Sequence, residues 1–198
     1  MTKREYAPLS SSLLKPGCGF SSPHQDLPDR VTLDSLATDV MTDLGHVNAV
    51  VVQTNDTIDD ANRRMIQRGV RLLLVISHER KVEGIITSND TLGDKPMRVV
   101  AERRCLRREV LVHEIMTPQG RLEVLNMVDV RDAKVGHVVE TLKRAGRQHA
   151  MVVEYDHDGI QTVRGLFSAS QIGRMLGAPI QTAEVAHTFS EIEAALAH

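Results

Sequence analysis

The sequence predicts an α+β fold of two tandem repeats, each with the element order β-α-β-β-α and related by a pseudo-twofold axis. Two pairs of segments carry this prediction. Residues 40–42, Val-Met-Thr, recur as residues 115–117, Ile-Met-Thr. Residues 84–90, Gly-Ile-Ile-Thr-Ser-Asn-Asp, recur as residues 165–171, Gly-Leu-Phe-Ser-Ala-Ser-Gln. Because repeated units bury their apolar faces against each other, we expect the two repeats to share an interface.

Length and composition favour a small globular protein. The chain has 198 residues, of which 41% are hydrophobic, and a formal net charge of -2. Two repeats of about 60 residues would each be marginally stable alone, which again favours a shared core. The slight acidity and the aromatic content of 3%, without tryptophan, argue against a basic surface or a base-stacking platform for nucleic acid.

Cysteine usage and hydropathy indicate the compartment. The two cysteines, Cys18 and Cys105, lie far apart in the sequence, so no disulfide framework is expected. The first residues lack the apolar run of a secretory signal. No apolar segment approaches the roughly 20 residues that a membrane-spanning helix needs. These features predict a cytoplasmic protein without a membrane partner.

The chain divides into five predicted segments. Residues 1–33 are rich in Ser, Pro and Gly and are expected to form a flexible N-terminal segment. The first repeat covers residues 34–95, and the second covers residues 113–177. A linking helix is predicted over residues 96–112, and a C-terminal helix over residues 178–198.

The first repeat carries clear local signals for its elements. Residues 49–52 are predicted to form a short buried strand. A helix is predicted to begin after the capping residues 56–57 and to end at Gly69, because glycine tolerates the left-handed cap conformation. Strands over residues 72–76 and 82–86 are predicted to form a hairpin. The apolar stripe of the helix is expected to contain Ile58, Ala61, Met65 and Ile66.

The second repeat parallels the first. Its first strand is predicted over residues 126–130, and its helix is predicted to end at Gly146. The hairpin strands are predicted over residues 150–153 and 163–167, with a longer loop than in the first repeat. The apolar stripe of the helix is expected to contain Val135, Val138, Val139, Leu142 and Ala145.

In this order, and twice over, the Met-Thr leads and the Gly-x-x-Thr/Ser tails resemble the CBS domain pair (cystathionine-β-synthase-type domains, or Bateman module). The resemblance covers roughly residues 35–177, and its most specific part is residues 84–90. No catalytic or DNA-binding domain is visible beside the pair, so the chain resembles a stand-alone CBS protein.

The resemblance implies a regulatory or sensor protein that is not an enzyme. It implies an adenosine-containing ligand (AMP, ADP, ATP or S-adenosylmethionine) in clefts between the repeats, and no required cofactor. It also implies a homodimer that acts on a regulated protein, which the sequence does not identify. The alternative function is a ligand-free dimerisation or protein-interaction module with vestigial clefts.

The resemblance assigns ligand contacts to Thr87 and Asp90. It implies that the Thr87 hydroxyl lies close to the phosphates and that Asp90 accepts hydrogen bonds from the ribose hydroxyls. Free N–H groups at a helix N-terminus favour an anion, and a carboxylate forms strong charge-assisted bonds. The alternative is structural: Thr87 is an N-cap and Asp90 is its capping-box partner. The spacing of the two residues fits both interpretations.

The adenine is expected to lie in an apolar slot. By the resemblance, Val50 and Val51 of the first repeat, with Met127 and Val128 of the second, are expected to form its walls. Ordinary core packing is the alternative for each of these side chains.

The second copy differs from the first where a ligand would bind. Ser168 keeps the hydroxyl of Thr87, but Gln171 replaces the carboxylate of Asp90. A neutral amide bonds a ribose hydroxyl less strongly than a carboxylate does. We therefore predict one competent site, at Thr87 and Asp90, and one weakened or empty site.

An arginine-rich stretch lies in the predicted linking helix. Four arginines are expected on one face: Arg103, Arg104, Arg107 and Arg108. One interpretation is a solvated face that is partly paired with Glu102 and Glu109, and the other is a patch for phosphate or an acidic partner.

The histidines do not indicate a metal site. The nine histidines show no spacing that is typical of metal ligands, so none is predicted to bind metal. His149 lies beside an apolar strand and is expected to be a core or cleft residue.

Overall fold

Two four-stranded β-sheets organise the part of the chain that the structure describes, residues 15–16, 18 and 23–182 in a computed structural model. The predicted α+β fold with two repeats is confirmed. The first repeat contains β1 (Thr42–Asp43), β2 (Val51–Gln53), α1 (Ile58–Arg68), β3 (Leu72–Ile76), β4 (Val82–Thr87) and α2 (Ser88–Leu92). Helix α3 (Lys95–Arg103) follows. The second repeat contains α4 (Val112–Ile115), β5 (Thr117–Pro118), β6 (Val124–Asn126), α5 (Met127–Asp132), α6 (Val135–Ala145), β7 (His149–Tyr155), β8 (Gln161–Ser168) and α7 (Ala169–Leu176).

Near its start, each repeat has a two-residue strand, β1 or β5, which we call its lead strand. The two repeats exchange these strands, so that each lead strand joins the sheet of the other repeat. The sheets have the orders β2-β3-β4-β5 and β1-β8-β7-β6. In the first, Thr117 of β5 lies opposite Ile85 of β4, and in the second, Thr42 of β1 lies opposite Leu166 of β8. Each sheet therefore contains three strands of one repeat and the lead strand of the other. The predicted boundaries between residues 34–95 and 113–177 divide the chain into its two repeats, but each sheet contains strands from both of them.

Glycine permits this exchange. A Cβ atom on Gly84 would lie 2.5 Å from the carbonyl oxygen of Thr117, which is backbone and cannot move aside easily. A Cβ atom on Gly165 would lie 2.6 Å from the sulfur of Met41 and 3.0 Å from the carbonyl oxygen of Thr42. The glycine that opens each repeated tail is therefore required by the close approach of the exchanged lead strand.

Helix α1 follows its predicted capping. The Thr57 hydroxyl accepts a hydrogen bond from the Asp60 N–H at 3.1 Å, and Gly69 ends the helix at φ 63°. Ile58 and the next two stripe positions are buried, but the prediction for Ile66 is wrong, because its side chain is 72% exposed. Ala145 of α6 is likewise exposed. In both helices the last residue of the predicted apolar stripe lies outside the face of the helix that is buried.

Three apolar clusters form the core. One lies under each sheet, with Leu73 and Ile86 buried under the first and Leu142 and Phe167 under the second, and each also contains residues from the start of the other repeat. The third cluster joins the faces of the two sheets, and its buried members are Leu72, Leu74, Ile76 and Met151. The expected interface between the repeats is thus present, and the cleft between the repeats lies beside it.

The first strand of the second repeat is shorter than predicted. Residues 127–130 belong to α5, because the side chain of Asn126 caps that helix by accepting a hydrogen bond from the Val128 N–H at 3.1 Å. Strand β6 therefore ends at Asn126, and the prediction of a strand over residues 126–130 is wrong.

The predicted linking helix is also shorter. Helix α3 ends at Arg103, and Arg104 adopts a left-handed conformation at φ 53°. Val110 and Val112 are fully buried against the core of the first repeat, so the chain must leave the helix to bury them. The prediction of one helix over residues 96–112 is therefore wrong.

The four arginines consequently do not share one helical face. Arg103 donates two hydrogen bonds to the Glu114 carboxylate, at 2.6 and 2.7 Å. Arg107 pairs with Asp59 and donates to the carbonyl of Thr91 at 2.8 Å. Two of the four arginines thus tie the linking segment to neighbouring elements, instead of pairing with the predicted glutamates.

Part of the N-terminal segment packs on β1 and on the second repeat, whose sheet β1 joins. Gln25 donates to the carbonyl of Met41 at 2.9 Å and accepts from the N–H of Asp43 at 2.8 Å. Leu27 and Val31 pack against the core of that repeat. The prediction of a flexible segment does not hold for residues 25–31. Most of residues 1–22 and residues 183–198 of the predicted C-terminal helix lie outside the described residues, and residues 178–182 are not helical.

The exchanged lead strand gives a stability prediction. We expect Gly84→Ala to lower the free energy of unfolding by about 1–3 kcal/mol, because the added methyl displaces β5 from its close pairing. Urea denaturation measures the loss. The matched control is Gly120→Ala, where an added Cβ atom meets no atom within 4 Å. Equal stability of the two variants would contradict the requirement for close approach.

Candidate functional site

The cleft between the repeats contains three neighbouring cavities. The central cavity has a volume of about 530 Å³, with Ser88 and Ser170 in its wall. The Ser168 cavity, which includes Gln171, has a volume of about 420 Å³. The Asp90 cavity, which includes Thr87, has a volume of about 190 Å³. His149 contributes to the walls of all three cavities, so they form one continuous region of the cleft.

Equivalent positions of the two repeats meet in this cleft. Leu72, at the start of β3, lies opposite Thr87, and His149, at the start of β7, lies opposite Ser168. The exchanged leads complete the cavities, since Thr117 lines the Asp90 cavity and Thr42 lines the Ser168 cavity. Each of these two cavities therefore contains residues of both repeats.

Thr87 and Asp90 lie together, as predicted, but they bond to each other. The N–H and hydroxyl of Thr87 donate to Oδ2 of Asp90 at 2.8 and 2.7 Å. The N–H of Asp90 donates back to the Thr87 hydroxyl at 3.3 Å. This is the capping box of the structural alternative, and Asp90 is only 8% exposed.

A lysine that the sequence prediction missed completes this arrangement. The Nζ atom of Lys95 pairs with Oδ1 of Asp90 and lies 3.4 Å from the carbonyl oxygen of Ile115. The one signal in the sequence was a lysine five positions after Asp90, just past the end of α2. The carboxylate proposed for ribose binding is therefore already occupied on both oxygens.

The second copy of this junction is more open. Ser168 is the N-cap residue of α7, but its side chain makes no capping bond to the helix backbone. Its hydroxyl lies 2.9 Å from that of Ser170, beside the Ser168 cavity. Small-molecule sites typically have volumes of about 300–1,000 Å³. The Ser168 cavity falls within that range and the Asp90 cavity falls below it, which is the reverse of the predicted order.

The predicted adenine walls lie elsewhere. Val50 and Val51 line a separate cavity on the side of α1, where Arg64 donates to the carbonyl of Val51 at 2.9 Å. The wall of the Asp90 cavity is formed instead by residues 122–123, which precede β6. Because Val51 and Val124 have equivalent pairing partners in β3 and β7, residues 122–123 correspond to residues 49–50. The equivalent positions of the two repeats therefore line different cavities, and the assignment of an adenine wall to either of them stays a prediction.

The corresponding residues of the second repeat do not line the cleft cavities. Met127 is buried in the core of its own repeat, and Val128 is exposed on α5. Both predicted wall residues were assigned to a strand that is a helix in the structure, which explains their misplacement.

The larger two cavities share an unbalanced positive charge. Arg71 and Arg174 line both of them, and no carboxylate does. Among the described residues, neither guanidinium group has a hydrogen bond or ion pair. The Asp90 cavity is different, since its lining contains Asp90 and Glu123 as well as cations. An anion is therefore favoured in the central and Ser168 cavities.

His149 is held in its neutral form. Burial and, to a smaller extent, the positive charge of Arg71 lower the pKa of His149 from 6.5 to about 4, and the negative charge of Asp90 partly opposes this shift. At neutral pH the imidazole is uncharged, so it adds a polar group to the cleft but no charge.

The described range has neither a cluster of metal ligands nor a helix suited to span a membrane. It contains no group of three or more His, Cys, Asp and Glu side chains arranged to hold a metal ion. None of its helices combines the length and apolar character needed to cross a bilayer.

Comparison with known proteins identifies the first repeat and the fold. Residues 37–93 match the CBS domain family. No curated protein matches the chain significantly. Among solved structures, an uncharacterised conserved protein from Pyrococcus horikoshii is 20% identical with a TM-score of 0.50, and the match covers 72% of this chain and 92% of that one.

Two further solved structures with the same fold contain ligands. CBSX2, a CBS-pair protein of Arabidopsis thaliana crystallised with AMP, is 20% identical with a TM-score of 0.50, over 71% of this chain and 94% of that one. The CBS domain pair of protein MJ0100, in complex with 5′-methylthioadenosine and S-adenosyl-L-methionine, is 21% identical with a TM-score of 0.50, over 72% and 96%. At these identities the similarity establishes the shared fold.

Neutral His149 gives a pH prediction. Because its pKa in the folded protein lies below that of the unfolded chain, the unfolded state binds more protons between pH 6.5 and about 4. Its contribution to stability is complete above pH 6.5 and is lost as the pH falls, by about 3 kcal/mol in total. We expect His149→Gln to remove this part of the pH dependence, measured by urea denaturation from pH 7 to pH 4.

The matched control is His78→Gln, on the exposed turn between β3 and β4. We expect this variant to keep the pH dependence of the wild type. If the His149 and His78 variants lost stability with falling pH in the same way, a neutral His149 in the cleft would be contradicted.

Proposed function

Since residues 37–93 are a CBS domain and the chain has the fold of a CBS pair, we propose that it is a regulatory protein that binds an adenine nucleotide between its repeats. Two similar structures contain AMP, or methylthioadenosine and S-adenosylmethionine, which supports an adenosine-containing ligand. The regulated protein and the cytoplasmic location stay predictions.

The observation that carries the proposal is the pair of arginines in the cleft. Arg71 and Arg174 come from different repeats, line the same two cavities and have no carboxylate beside them there. Guanidinium groups bind phosphate oxygens through strong charge-assisted bonds. S-adenosylmethionine carries a carboxylate together with positive sulfonium and ammonium groups near neutral pH, so its net charge is positive and it gains less from two arginines than a phosphate does. The local charge therefore favours AMP, ADP or ATP.

We place the nucleotide in the Ser168 cavity, with its phosphates toward the central cavity. The Ser168 hydroxyl and the Gln171 amide offer hydrogen bonds to a ribose, and Leu72 and Leu166 offer an apolar lining. Arg71 and Arg174 extend from this cavity into the central one. This placement differs from the predicted site at Thr87 and Asp90.

Binding between the repeats gives a route to regulation. A ligand shifts a conformational equilibrium only through its different affinities for two states. A nucleotide that bridges Arg71 of the first repeat and Arg174 of the second favours the arrangement that keeps both contacts. The signal would then be the relative position of the two repeats.

Isothermal titration calorimetry tests the proposed ligand class. We expect AMP or ATP to bind and S-adenosylmethionine to bind more weakly. Arg71→Gln and Arg174→Gln are each expected to weaken nucleotide binding by roughly 10- to 100-fold, the value of a charge-assisted hydrogen bond. Arg144→Gln, on the exposed end of α6, is the matched control. Unchanged nucleotide affinity in both cleft variants would refute the assignment.

A second candidate function, self-association, rests on a different observation. Ile66, Leu92 and Met97 are 72%, 69% and 60% exposed on α1, α2 and α3, and α2 packs against both of the other helices. Large apolar side chains concentrated on one set of helices favour a protein contact. We propose that these helices form the interface of a homodimer.

Light scattering tests the dimer. The wild-type protein is expected to have twice the mass of the chain at micromolar concentration, and Leu92→Glu with Met97→Glu is expected to give monomers that remain folded by circular dichroism. Ile160→Glu, on the exposed β7–β8 turn, is the control. A wild-type monomer at high micromolar concentration would contradict the dimer.

A further inference from the structure

We infer that Lys95 closes the Asp90 cavity and thereby restricts this chain to one nucleotide. The inference rests on the proposed function, because it concerns the second of two equivalent binding positions. It begins from the surroundings of the Asp90 carboxylate.

The Asp90 carboxylate has little remaining capacity to accept hydrogen bonds. A carboxylate offers about four lone-pair positions. Oδ2 accepts the N–H and the hydroxyl of Thr87, at 2.8 and 2.7 Å, and Oδ1 is paired with Lys95. One position therefore remains, whereas the two vicinal hydroxyls of a ribose require two. A ribose must displace Lys95 to bind as the family resemblance implies.

Lys95 is fixed to both repeats. Its Nζ atom pairs with Asp90 of the first repeat and lies 3.4 Å from the carbonyl oxygen of Ile115, just before the exchanged strand β5. Thr117 of that strand lines the same cavity. The lysine thus lines the Asp90 cavity and connects Asp90 of one repeat with the segment that leads into β5.

Displacing the lysine would leave a charged group without its partner. Asp90 is 8% exposed, and a carboxylate in such a position is stabilised by a nearby cation. Removing that cation costs free energy, and hydrogen bonds from a neutral ribose do not fully compensate for the lost ion pair. The small volume of this cavity, about 190 Å³, adds a steric barrier to an adenosine.

The second repeat lacks this closure. The position five residues after Gln171 holds Leu176, which carries no charge. Gln171 and Ser168 therefore keep their hydrogen-bonding groups available to a ligand, in a cavity of about 420 Å³. The difference between the two cavities thus follows from Lys95 as much as from the exchange of Asp90 for Gln171.

Calorimetric stoichiometry with AMP as the probe tests this role of Lys95. We expect one AMP per chain for the wild type and two for Lys95→Ala, which frees Oδ1 of Asp90 and enlarges the cavity. Adding Asp90→Asn to Lys95→Ala should return the stoichiometry to one AMP per chain. Lys143→Ala, on the exposed face of α6, is the matched control and should bind one AMP per chain, like the wild type. Circular dichroism checks that each variant is folded.

The possible results separate this inference from the proposed function. One AMP per chain in both the wild type and Lys95→Ala would overturn the role of Lys95 and leave the proposed function intact. No AMP in the wild type but one in Lys95→Ala would support the role of Lys95 and overturn the proposed site at Ser168. Two in the wild type, or none in either protein, would overturn the inference about Lys95.

Discussion

The exchange of lead strands between the repeats is the constraint on which the rest of the structure depends. Strands β1 and β5 have two residues each, yet each completes the sheet of the other repeat. Their close approach requires Gly84 and Gly165, where no Cβ atom would fit. Because of this exchange, neither repeat can form its complete sheet alone, and the cavities at the junctions are built from both halves of the chain.

The same exchange connects the cavities to the position of the repeats. Thr42 of the lead strand β1 lines the Ser168 cavity, and Thr117 of the lead strand β5 lines the Asp90 cavity. A change in the packing of either lead therefore changes the shape of a cavity, and a ligand in a cavity acts on the packing of a lead. Regulation by a ligand requires such coupling between binding and strand packing, because the ligand must have different affinities for two arrangements of the repeats.

The two halves have diverged in chemistry while keeping the same backbone plan. Leu72 and His149 occupy equivalent strand positions, but one is apolar and the other is a neutral imidazole. Asp90 satisfies its carboxylate internally, whereas Arg71 and Arg174 have no anionic partner among the described residues. The pseudo-symmetry thus places two equivalent cavities in the cleft, on either side of the central one. The carboxylate of the Asp90 cavity is paired within the protein, whereas the arginines favour an anion in the Ser168 and central cavities.

Local features of the fold could be predicted from the sequence. The hairpins, the cap at Thr57 and the helix ends at Gly69 and Gly146 follow from short-range preferences that the structure keeps. The exchange of lead strands could not be predicted, because a two-residue strand has no periodicity and its partner lies far along the chain. Helix α5 was missed because the cap at Asn126 outweighed an apolar run typical of strands.

The candidate site was predictable only in part. The pairing of Thr87 with Asp90 follows from their spacing, and it is present as a capping box. The contribution of Lys95 was missed, since it depends on where the chain turns after α2. Of the predicted wall residues, Val50 and Val51 line a separate cavity and Met127 and Val128 belong to a helix. The sequence does not show which segment faces which junction across the interface.

A crystal structure of the protein with AMP would test the central claim most directly. The account predicts one nucleotide beside Ser168, with its phosphate contacting Arg71 and Arg174, and an intact pair between Lys95 and Asp90. A nucleotide whose ribose is bound to Asp90 with Lys95 displaced, or an empty cleft at saturating AMP, would contradict it.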